Sequence, residues 1–284
     1  MPARLLDGRA LAEDLREEVA MRAARLRARG IAPRLTVAIV GSDAASVAYV
    51  RSIERAGTKT GVDVTLDALP AGAGEEMLRA RLQALGDDPN VHGIILQQPL
   101  PPHLGIRRIA EAMPPHKDVD GANPVNLGRL AFASGTEFVP ATPSAVMLLL
   151  ERSAHWPLRG VRCCVVGRSN VVGLPVALLL LGRDATVTIA HRETRDLARR
   201  TAEAEVLVVA TGVPGLIRGE MVQPGATVID VGTTFVDGAL VGDVAFDEVA
   251  AVAGEITPVP GGVGPVTNIA LLRNVVLAAE RLNA

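Results

Sequence analysis

The fold is decided by the stretch Val161-Arg-Cys-Cys-Val-Val-Gly167-Arg-Ser-Asn-Val-Val-Gly173-Leu-Pro175. An apolar run ends at Gly167, a short polar loop follows, and Gly173 leads into an apolar segment without glycine, 176–181. This order predicts a strand, a turn and a helix. Such a turn directs backbone N–H groups and a helix N-terminus toward whatever lies above it, which suits an anionic phosphate.

The spacing of the glycines departs from the common dinucleotide fingerprint, Gly-x-Gly-x-x-Gly. Here Gly167 is followed by Ser169 and then by Gly173, one place too far along the chain. Taken alone, the loop is better interpreted as an ordinary turn of an α/β unit without a ligand.

The segment downstream of this loop favours a dinucleotide. A second strand is predicted at 185–190, and it ends at His191 and Arg192. NAD enzymes usually place an acidic residue there to bind the ribose 2′-hydroxyl, whereas NADP enzymes place an arginine near the 2′-phosphate. Arg192 and Arg168 therefore predict NADP, although Glu193 keeps NAD open. Both arginines could equally be ordinary solvated charges.

Composition limits the class of protein. The chain has 284 residues, enough for two domains, and its 49% hydrophobic but only 2% aromatic residues predict an aliphatic core. Such a core suits parallel strands covered by helices on both faces. A net charge of −2 gives no electrostatic basis for binding nucleic acid or a membrane. The only cysteines, Cys163 and Cys164, are expected to be reduced core residues.

The two ends of the chain and its apolar segments bear on localisation. No cationic start with an apolar stretch opens the chain, and no uncharged apolar stretch is long enough to span a bilayer. We therefore expect a soluble cytoplasmic protein, and we expect no metal site.

The first half of the chain predicts one helix and then alternating strands and helices. That alternation is typical of βαβ units. Two irregular stretches rich in Pro and Gly follow, at 97–102 and 114–124, and because each adjoins a predicted element we interpret both as functional. The predicted elements are helix 9–29, strand 35–40, helix 46–59, strand 62–69, helix 75–85 and strand 91–97.

A second alternating series begins at Pro140. Thr142-Pro143-Ser144 is expected to cap a helix at 145–152. The Gly- and Pro-rich stretch 257–267 allows close approach of the backbone to a ligand, the alternative being a rigid turn into the last helix. The other predicted elements are the strand and helix of the opening stretch, strands 185–190, 206–210 and 227–231, and a last helix at 268–282.

Six motifs in this order resemble those of one family, the bifunctional methylenetetrahydrofolate dehydrogenase/methenyltetrahydrofolate cyclohydrolases, often called FolD. Each motif is weak alone, but the ordered set covers nearly the whole chain and is highly specific. The displaced glycines are the form that this family uses. The motifs are Ala45-Ser-Val-Ala-Tyr49-Val50, Gly93-Ile-Ile-Leu-Gln97-Gln-Pro-Leu-Pro101, Lys117-Asp-Val-Asp120-Gly121, Gly167-Arg-Ser169 with Val172-Gly-Leu-Pro175, Ile229-Asp-Val-Gly232, and Pro258-Val-Pro-Gly-Gly-Val-Gly-Pro265.

The resemblance implies two α/β domains with a cleft between them, and a homodimer. A folate-binding catalytic domain would span 1–139, with the C-terminal helix 267–284 packing back on it, and a Rossmann-like NADP-binding domain would span 140–266. The implied reaction oxidises 5,10-methylenetetrahydrofolate with NADP. Water then opens the methenyl product to 10-formyltetrahydrofolate.

The resemblance also implies roles for individual residues. Tyr49 would pack against the folate, Gln97 would bind near the reacting carbon, and Asp120 would accept from the pterin N–H groups. Gly262 and Pro265 would contact the substrate as well. The cofactor would be bound by Gly167, Arg168, Ser169, Gly173, Arg192 and Thr233. Arg192 replaces a serine of many relatives, and Thr233-Thr234 replaces their usual Ile-Asn.

One position departs from the family in a way that affects chemistry. The family has a lysine four residues after the pocket tyrosine, one helical turn along the same face, and that lysine is tied to hydrolysis of the methenyl cation. Here the position is Ile53. We therefore expect the dehydrogenase to be kept and the cyclohydrolase to be weak or absent. The alternatives are that Lys117 or another cation substitutes for the missing lysine, that the protein binds folate and NADP without turnover, or that the fold serves another oxidoreductase substrate.

Overall fold

The structure is a computed structural model that describes residues 2–41, 44–132 and 138–284. The chain divides into two units. We call Glu13–Ala141 with Asn268–Ala284 the first unit, and Met1–Ala12 with Thr142–Thr267 the second unit. Both are layered from parallel strands and helices, so the predicted pair of α/β domains is confirmed.

The described elements follow the predicted alternation, with several short additions. No helix in the described ranges is both long and apolar enough to cross a membrane. In chain order the elements are β1 (Arg4–Leu5), α1 (Gly8–Ala28), β2 (Arg34–Val40), α2 (Ala44–Thr60), β3 (Asp63–Leu69), α3 (Glu75–Asp87), β4 (Gly93–Leu96), α4 (Ile106–Ala110), α5 (Pro124–Ala131), α6 (Ala141–Leu150), β5 (Arg162–Val166), α7 (Gly173–Leu181), β6 (Thr186–Ala190), α8 (Leu197–Ala202), β7 (Val206–Val209), β8 (Thr227–Asp230), β9 (Thr234–Val236), β10 (Ala239–Val241), α9 (Phe246–Ala250), β11 (Glu255–Ile256) and α10 (Val263–Leu282), with a short 3₁₀ helix at Gly219–Met221.

The first unit is built on a three-stranded parallel sheet in the order β3-β2-β4. The central strand β2 is buried along nearly its whole length, because its Leu, Val, Ile and Ala side chains are covered on both faces. A further segment runs alongside β4, since Asp118 forms a parallel bridge with Ile94. This bridge sets part of the irregular stretch 114–124 alongside β4, with Lys117 near the start of the strand.

The second unit is built on a six-stranded parallel sheet in the order β1-β11-β8-β7-β5-β6. Cys163 and Cys164 lie in β5, where both are buried and free. The strand β1 explains why residues 1–12 belong here rather than with the rest of the predicted segment 1–139. Arg4 and Leu5 pair with Glu255 and Ile256 at the edge of the sheet.

Three helices, α6, α7 and α10, start three or more residues earlier than their sequences predict. Thr142-Pro143-Ser144 lies inside the first turn of α6, so the expectation that it caps a helix at 145–152 is wrong. The last helix likewise begins at Val263 rather than Asn268. In each of α6, α7 and α10 a proline is the third residue. Proline is tolerated there because first-turn N–H groups have no partner within the helix.

Candidate active site

The first-unit residues singled out by the sequence begin on α2. Tyr49 is half-buried, and Ile53, one turn later, is fully buried. The carbonyl oxygen of Tyr49 accepts from Ser52 Oγ at 2.7 Å, and that Oγ accepts from Asn268 Nδ2 at 3.2 Å. These bonds tie the tyrosine's turn of α2 to the last helix.

Gln97 lies immediately beyond the carboxyl end of β4 and is buried. Its backbone N–H donates to the Ala38 carbonyl at 2.9 Å, which continues the sheet by one residue. Its side-chain amide donates to the carbonyl oxygen of Gln98 at 2.6 Å. The carbonyl end of the Gln97 amide has no bond of its own among the described contacts.

The loop that carries Asp120 is organised by Asp118, which is fully buried. The Asp118 carboxylate accepts from the backbone N–H groups of Ala122 at 3.0 Å and Asn123 at 2.7 Å, and from Asn126 Nδ2 at 2.9 Å. An aspartate in an irregular loop is ordinarily a solvated charge. The bonds instead make Asp118 the support of the turn that holds Asp120.

Asp120 is half-buried and close enough to Tyr49 for their charges to interact. Burial, and then the neighbouring Asp118 carboxylate, raise the pKa of Asp120 to about 7, although an N–H from Ala141 opposes the shift. Burial, and then the Asp120 charge, raise the pKa of the Tyr49 phenol above its usual range. The structure thus brings Tyr49 and Asp120 together, and no basic side chain in the described part of the chain pairs with Asp120.

Lys117 lies near the amino end of β4, whereas Gln97 lies beyond its carboxyl end. The Nζ of Lys117 donates to the Asp88 carbonyl oxygen at 2.7 Å, before the start of β4. Burial lowers the pKa of this ammonium, while the Asp88 and Asp87 carboxylates raise it. The strand between Gly93 and Gln97 rises about 3.3 Å per residue, or roughly 13 Å in all, so the amine is held away from Gln97.

The loop between β5 and α7 forms a tight cradle in the second unit. A Cβ on Gly167, whose φ is +125°, would lie 2.1 Å from the Ala210 carbonyl oxygen. A Cβ on Gly173 would lie 2.1 Å from the carbonyl oxygen of Gly167. Ser169 Oγ accepts from the N–H groups of Val172 at 3.1 Å and Gly173 at 3.4 Å. Both glycines are therefore required by backbone contacts, and Ser169 fixes the start of α7.

The predicted cofactor residues outside this cradle lie at the surface of the second unit. Arg168, Arg192 and Thr233 are exposed. Arg192 Nε lies 3.1 Å from Glu193 Oε1, and the two side chains are 89% and 68% exposed. The Glu193 N–H in turn donates to His191 Nδ1 at 3.3 Å. The structure places Arg192 at the end of β6, as predicted from the sequence, but already paired with an acidic neighbour.

Gly262 and Pro265 belong to the second unit, whereas Tyr49, Gln97 and Asp120 belong to the first. Gly262 is buried, and a Cβ there would lie 2.7 Å from both the Pro258 carbonyl oxygen and Thr257 Cβ. Pro265 is the third residue of α10. Their contact with a substrate stays a prediction.

Family models match both halves of the chain. The model described as tetrahydrofolate dehydrogenase/cyclohydrolase, catalytic domain, matches residues 6–120. The model for the NAD(P)-binding domain of the same family matches residues 140–283. This chain belongs to the tetrahydrofolate dehydrogenase/cyclohydrolase family.

Individual members of the family are similar over nearly their full length. The bifunctional protein FolD of Polynucleobacter asymbioticus is 51% identical over 282 residues, covering 99% of each chain. The crystal structure of FolD from Campylobacter jejuni has a TM-score of 0.94 and 40% identity, and the match covers 98% of this chain and 99% of that one. The Trypanosoma brucei FolD, solved with NADP cofactor and inhibitor, has a TM-score of 0.93 and 40% identity, covering 99% and 98%.

No cluster of three or more metal-binding side chains occurs in the part of the chain that the structure describes. Two buried carboxylates in the second unit, Asp230 and Asp243, were missed by sequence reasoning. Asp230 belongs to a family motif, but Asp243 carries no local signal, because its partners lie about thirty residues away in the chain.

Proposed function

We propose that this protein oxidises 5,10-methylenetetrahydrofolate to 5,10-methenyltetrahydrofolate with NADP, in one-carbon folate metabolism. The first unit would bind the folate and the second unit the cofactor. The observation that carries the proposal is the association of Tyr49 with a half-buried Asp120, in a member of this family. The same family context leads us to propose a cytoplasmic homodimer, which light scattering of the purified protein would test.

The folate would be bound mainly by two side chains. A carboxylate suits the pterin because its oxygens accept from the amino and ring N–H groups together. Asp120 offers such oxygens, since among the described residues only the backbone N–H of Ala141 donates to it. The half-buried ring of Tyr49 would pack against the flat substrate. The unshared carbonyl of the Gln97 amide would bind near the reacting carbon.

The second unit fits NADP on its own geometry. Gly167 and Gly173 keep the backbone free of side chains where the diphosphate would lie, and α7 begins at the same point. Ser169 orders this turn, and Arg168 and Arg192 would pair with the 2′-phosphate, with Thr233 lining the site beyond β8. When bound, the nicotinamide accepts the hydride. The folate nitrogens stabilise the cation that forms, so the task of the protein is to orient the two reactants.

We also propose that the cyclohydrolase reaction is weak or absent. The sequence contains two lysines, Lys59 and Lys117. Lys59 is exposed and lies ten residues beyond Tyr49 on α2, about 15 Å along the helix axis. Lys117 is bonded to the Asp88 carbonyl at the amino end of β4. Neither amine is therefore available beside Tyr49, and Ile53 can neither donate nor accept a proton.

The alternative is a fully bifunctional enzyme. It is favoured by relatives named bifunctional at 51% identity. Separate assays of the two half-reactions decide between the alternatives. Hydride transfer is followed at the nicotinamide absorbance, and methenyltetrahydrofolate decay is followed in a buffer that does not catalyse hydrolysis. We expect normal hydride transfer and decay slower by about 10²–10⁴-fold than with a lysine-containing relative, because positioned acid–base help contributes that much.

Substitution at Ile53 sharpens this test. Ile53→Lys should accelerate methenyl decay and leave hydride transfer nearly unchanged. Ile53→Met is the matched control, since methionine is an unbranched side chain of nearly the length of lysine but has no amine. Decay as fast in the unmodified protein as in the lysine-containing relative would overturn the proposed loss. Absence of hydride transfer with intact binding of both ligands would instead favour a binding module.

A further inference from the structure

Two buried carboxylates in the second unit have no part in the proposed chemistry. Asp230 is the last residue of β8, and Asp243 follows β10. They are 4% and 0% exposed. Every hydrogen bond described for them comes from a neutral group, and no arginine, lysine or histidine in the described ranges pairs with either. Such uncompensated burial of charge is costly, so the arrangement requires an explanation.

Asp243 holds the turn that follows β7. Its Oδ2 accepts from the N–H of Thr211 at 2.5 Å, the N–H of Gly212 at 2.9 Å and Thr211 Oγ1 at 2.9 Å. Three donors from two consecutive residues thus converge on one oxygen. Displacing the turn relative to Asp243 would disrupt these bonds.

Asp230 holds the loop that follows β8. Its Oδ1 accepts from the N–H groups of Gly232 at 2.8 Å and Asp243 at 3.0 Å. Its Oδ2 accepts from the N–H of Val244 at 3.0 Å. The segment that leaves β8 and the segment that carries Asp243 are therefore bonded to the same carboxylate.

The two carboxylates are also interlocked with two glycines. A Cβ on Gly232 would lie 2.2 Å from Asp243 Oδ1, and a Cβ on Gly242 would lie 1.9 Å from Asp230 Oδ2. The Asp243 carboxylate thus occupies the space that a side chain at position 232 would need, and the Asp230 carboxylate occupies the space that a side chain at position 242 would need. Asp243 Oδ1 is buried against Gly232 and has no hydrogen-bond partner in the described part of the chain.

These two loops leave neighbouring parallel strands at their carboxyl ends, where Val209 of β7 is in register with Asp230 of β8. Ligands of open parallel sheets bind at that edge. We propose that Asp243 is a positioning residue for NADP, which fixes the turn at Thr211 and Gly212 relative to the loop at Gly232 and Thr233. This inference rests on the proposed function, because it assumes that NADP is the ligand at that edge.

Asp243→Asn tests the proposal with little change of volume. The amide keeps one oxygen for the turn, but its NH₂ would face Gly232 where no acceptor is described. We expect the dissociation constant for NADP, measured calorimetrically without folate, to rise about tenfold, as for one lost buried polar contact. The KM for folate and the kcat at saturating NADP should change less than about threefold, within the scatter of a conservative change.

Two further variants separate positioning from simple loss of stability. Val249→Ala truncates a fully buried side chain in the same core and should lower the melting temperature without raising the NADP dissociation constant. Thr211→Val removes the hydroxyl bond to Asp243, together with the 3.2 Å bond that the same hydroxyl accepts from the Val213 N–H. It should therefore weaken NADP binding in the same direction even if Asp243→Asn does not fold.

Equal weakening of NADP binding by Val249→Ala at a matched melting temperature would overturn the proposal. Unchanged affinity in Thr211→Val and in a folded Asp243→Asn protein would overturn it as well. Failure of the unmodified protein to bind NADP would count against the proposed function instead, so the two ideas fail separately.

Discussion

The loop around Asp120 and the loop from Gly167 to Gly173 achieve order in opposite ways. Around Asp120, buried side chains support one another, and the Asp118 carboxylate holds the turn through three hydrogen bonds. Between Gly167 and Gly173 the backbone is ordered by close contacts that leave no space for a Cβ. The arginines predicted to bind the cofactor, Arg168 and Arg192, are exposed. The first region should therefore respond to changes of charge, and the second to changes of volume.

The largest effect is expected from adding one methyl group in the cradle. In Gly173→Ala the new Cβ would lie 2.1 Å from the Gly167 carbonyl oxygen, so the backbone must move. Overpacking costs about 3 kcal/mol. If the loop conformation that binds NADP carries this cost, NADP binding becomes about a hundredfold weaker. Calorimetric titration with NADP measures it. Gly182→Ala, with only ordinary contacts in the same unit, is the control, and similar affinities in both variants would contradict the interpretation.

An intermediate effect is expected from removing the charge of Asp120. The amide of Asp120→Asn presents a donor to a pterin donor, a mismatch that costs about 1–3 kcal/mol and raises the KM for folate about tenfold. Because the pKa of Asp120 is raised to about 7, the carboxylate is lost as pH falls below that value. The kcat/KM for folate should therefore decline on the acid side of pH 7 and level off above pH 8.

The same pH profile in Asp120→Asn should lack this decline, since the amide does not titrate. A pH profile from 5.5 to 9, roughly the span over which a group of pKa near 7 changes its charge, makes the comparison. If kcat/KM still declines below pH 7 in the variant, another group is responsible for the titration. If the affinity for folate is unchanged, Asp120 does not bind the folate.

The smallest effect is expected at the exposed arginine. We predict that NADP is preferred over NAD, and that Arg192→Ser reduces this preference only about fivefold, because an exposed ion pair contributes at most about 1 kcal/mol. Glu193→Gln should act in the opposite direction by releasing Arg192 from its 3.1 Å pair. Dehydrogenase rates with both cofactors test this, and equal or better efficiency with NAD in the unmodified protein would be the contrary result.

The sequence predicts a region well when the interactions that build it join residues close together in the chain. The β5 strand, the glycine turn and α7 are local in the chain, so two apolar runs and the polar loop between them were sufficient to predict the order of these elements. The starts of α6 and α10 were misplaced because Pro143 and Pro265 were interpreted as lying outside the helices. Prolines in the first turn are compatible with both interpretations, and only packing decides between them.

The carboxylates show the opposite case. Asp118 acts within eight residues of its own position, yet its burial could not be predicted, because a solvated loop and a buried turn share the same composition. Asp243 bonds to Thr211 across 32 residues, and Glu255 pairs with Arg4 across 251. Such long-range pairings depend on the assembled sheet, so no local pattern in the sequence indicates them.

The pairing of β1 with β11 has a consequence for biosynthesis. Arg4 and Leu5 are synthesised 251 residues before their partners Glu255 and Ile256. At about 5–20 residues per second, roughly 12–50 s of translation separate the two strands. The edge of the six-stranded sheet is therefore closed only after β11 has been synthesised, and a nascent chain stalled before β11 would carry β1 unpaired.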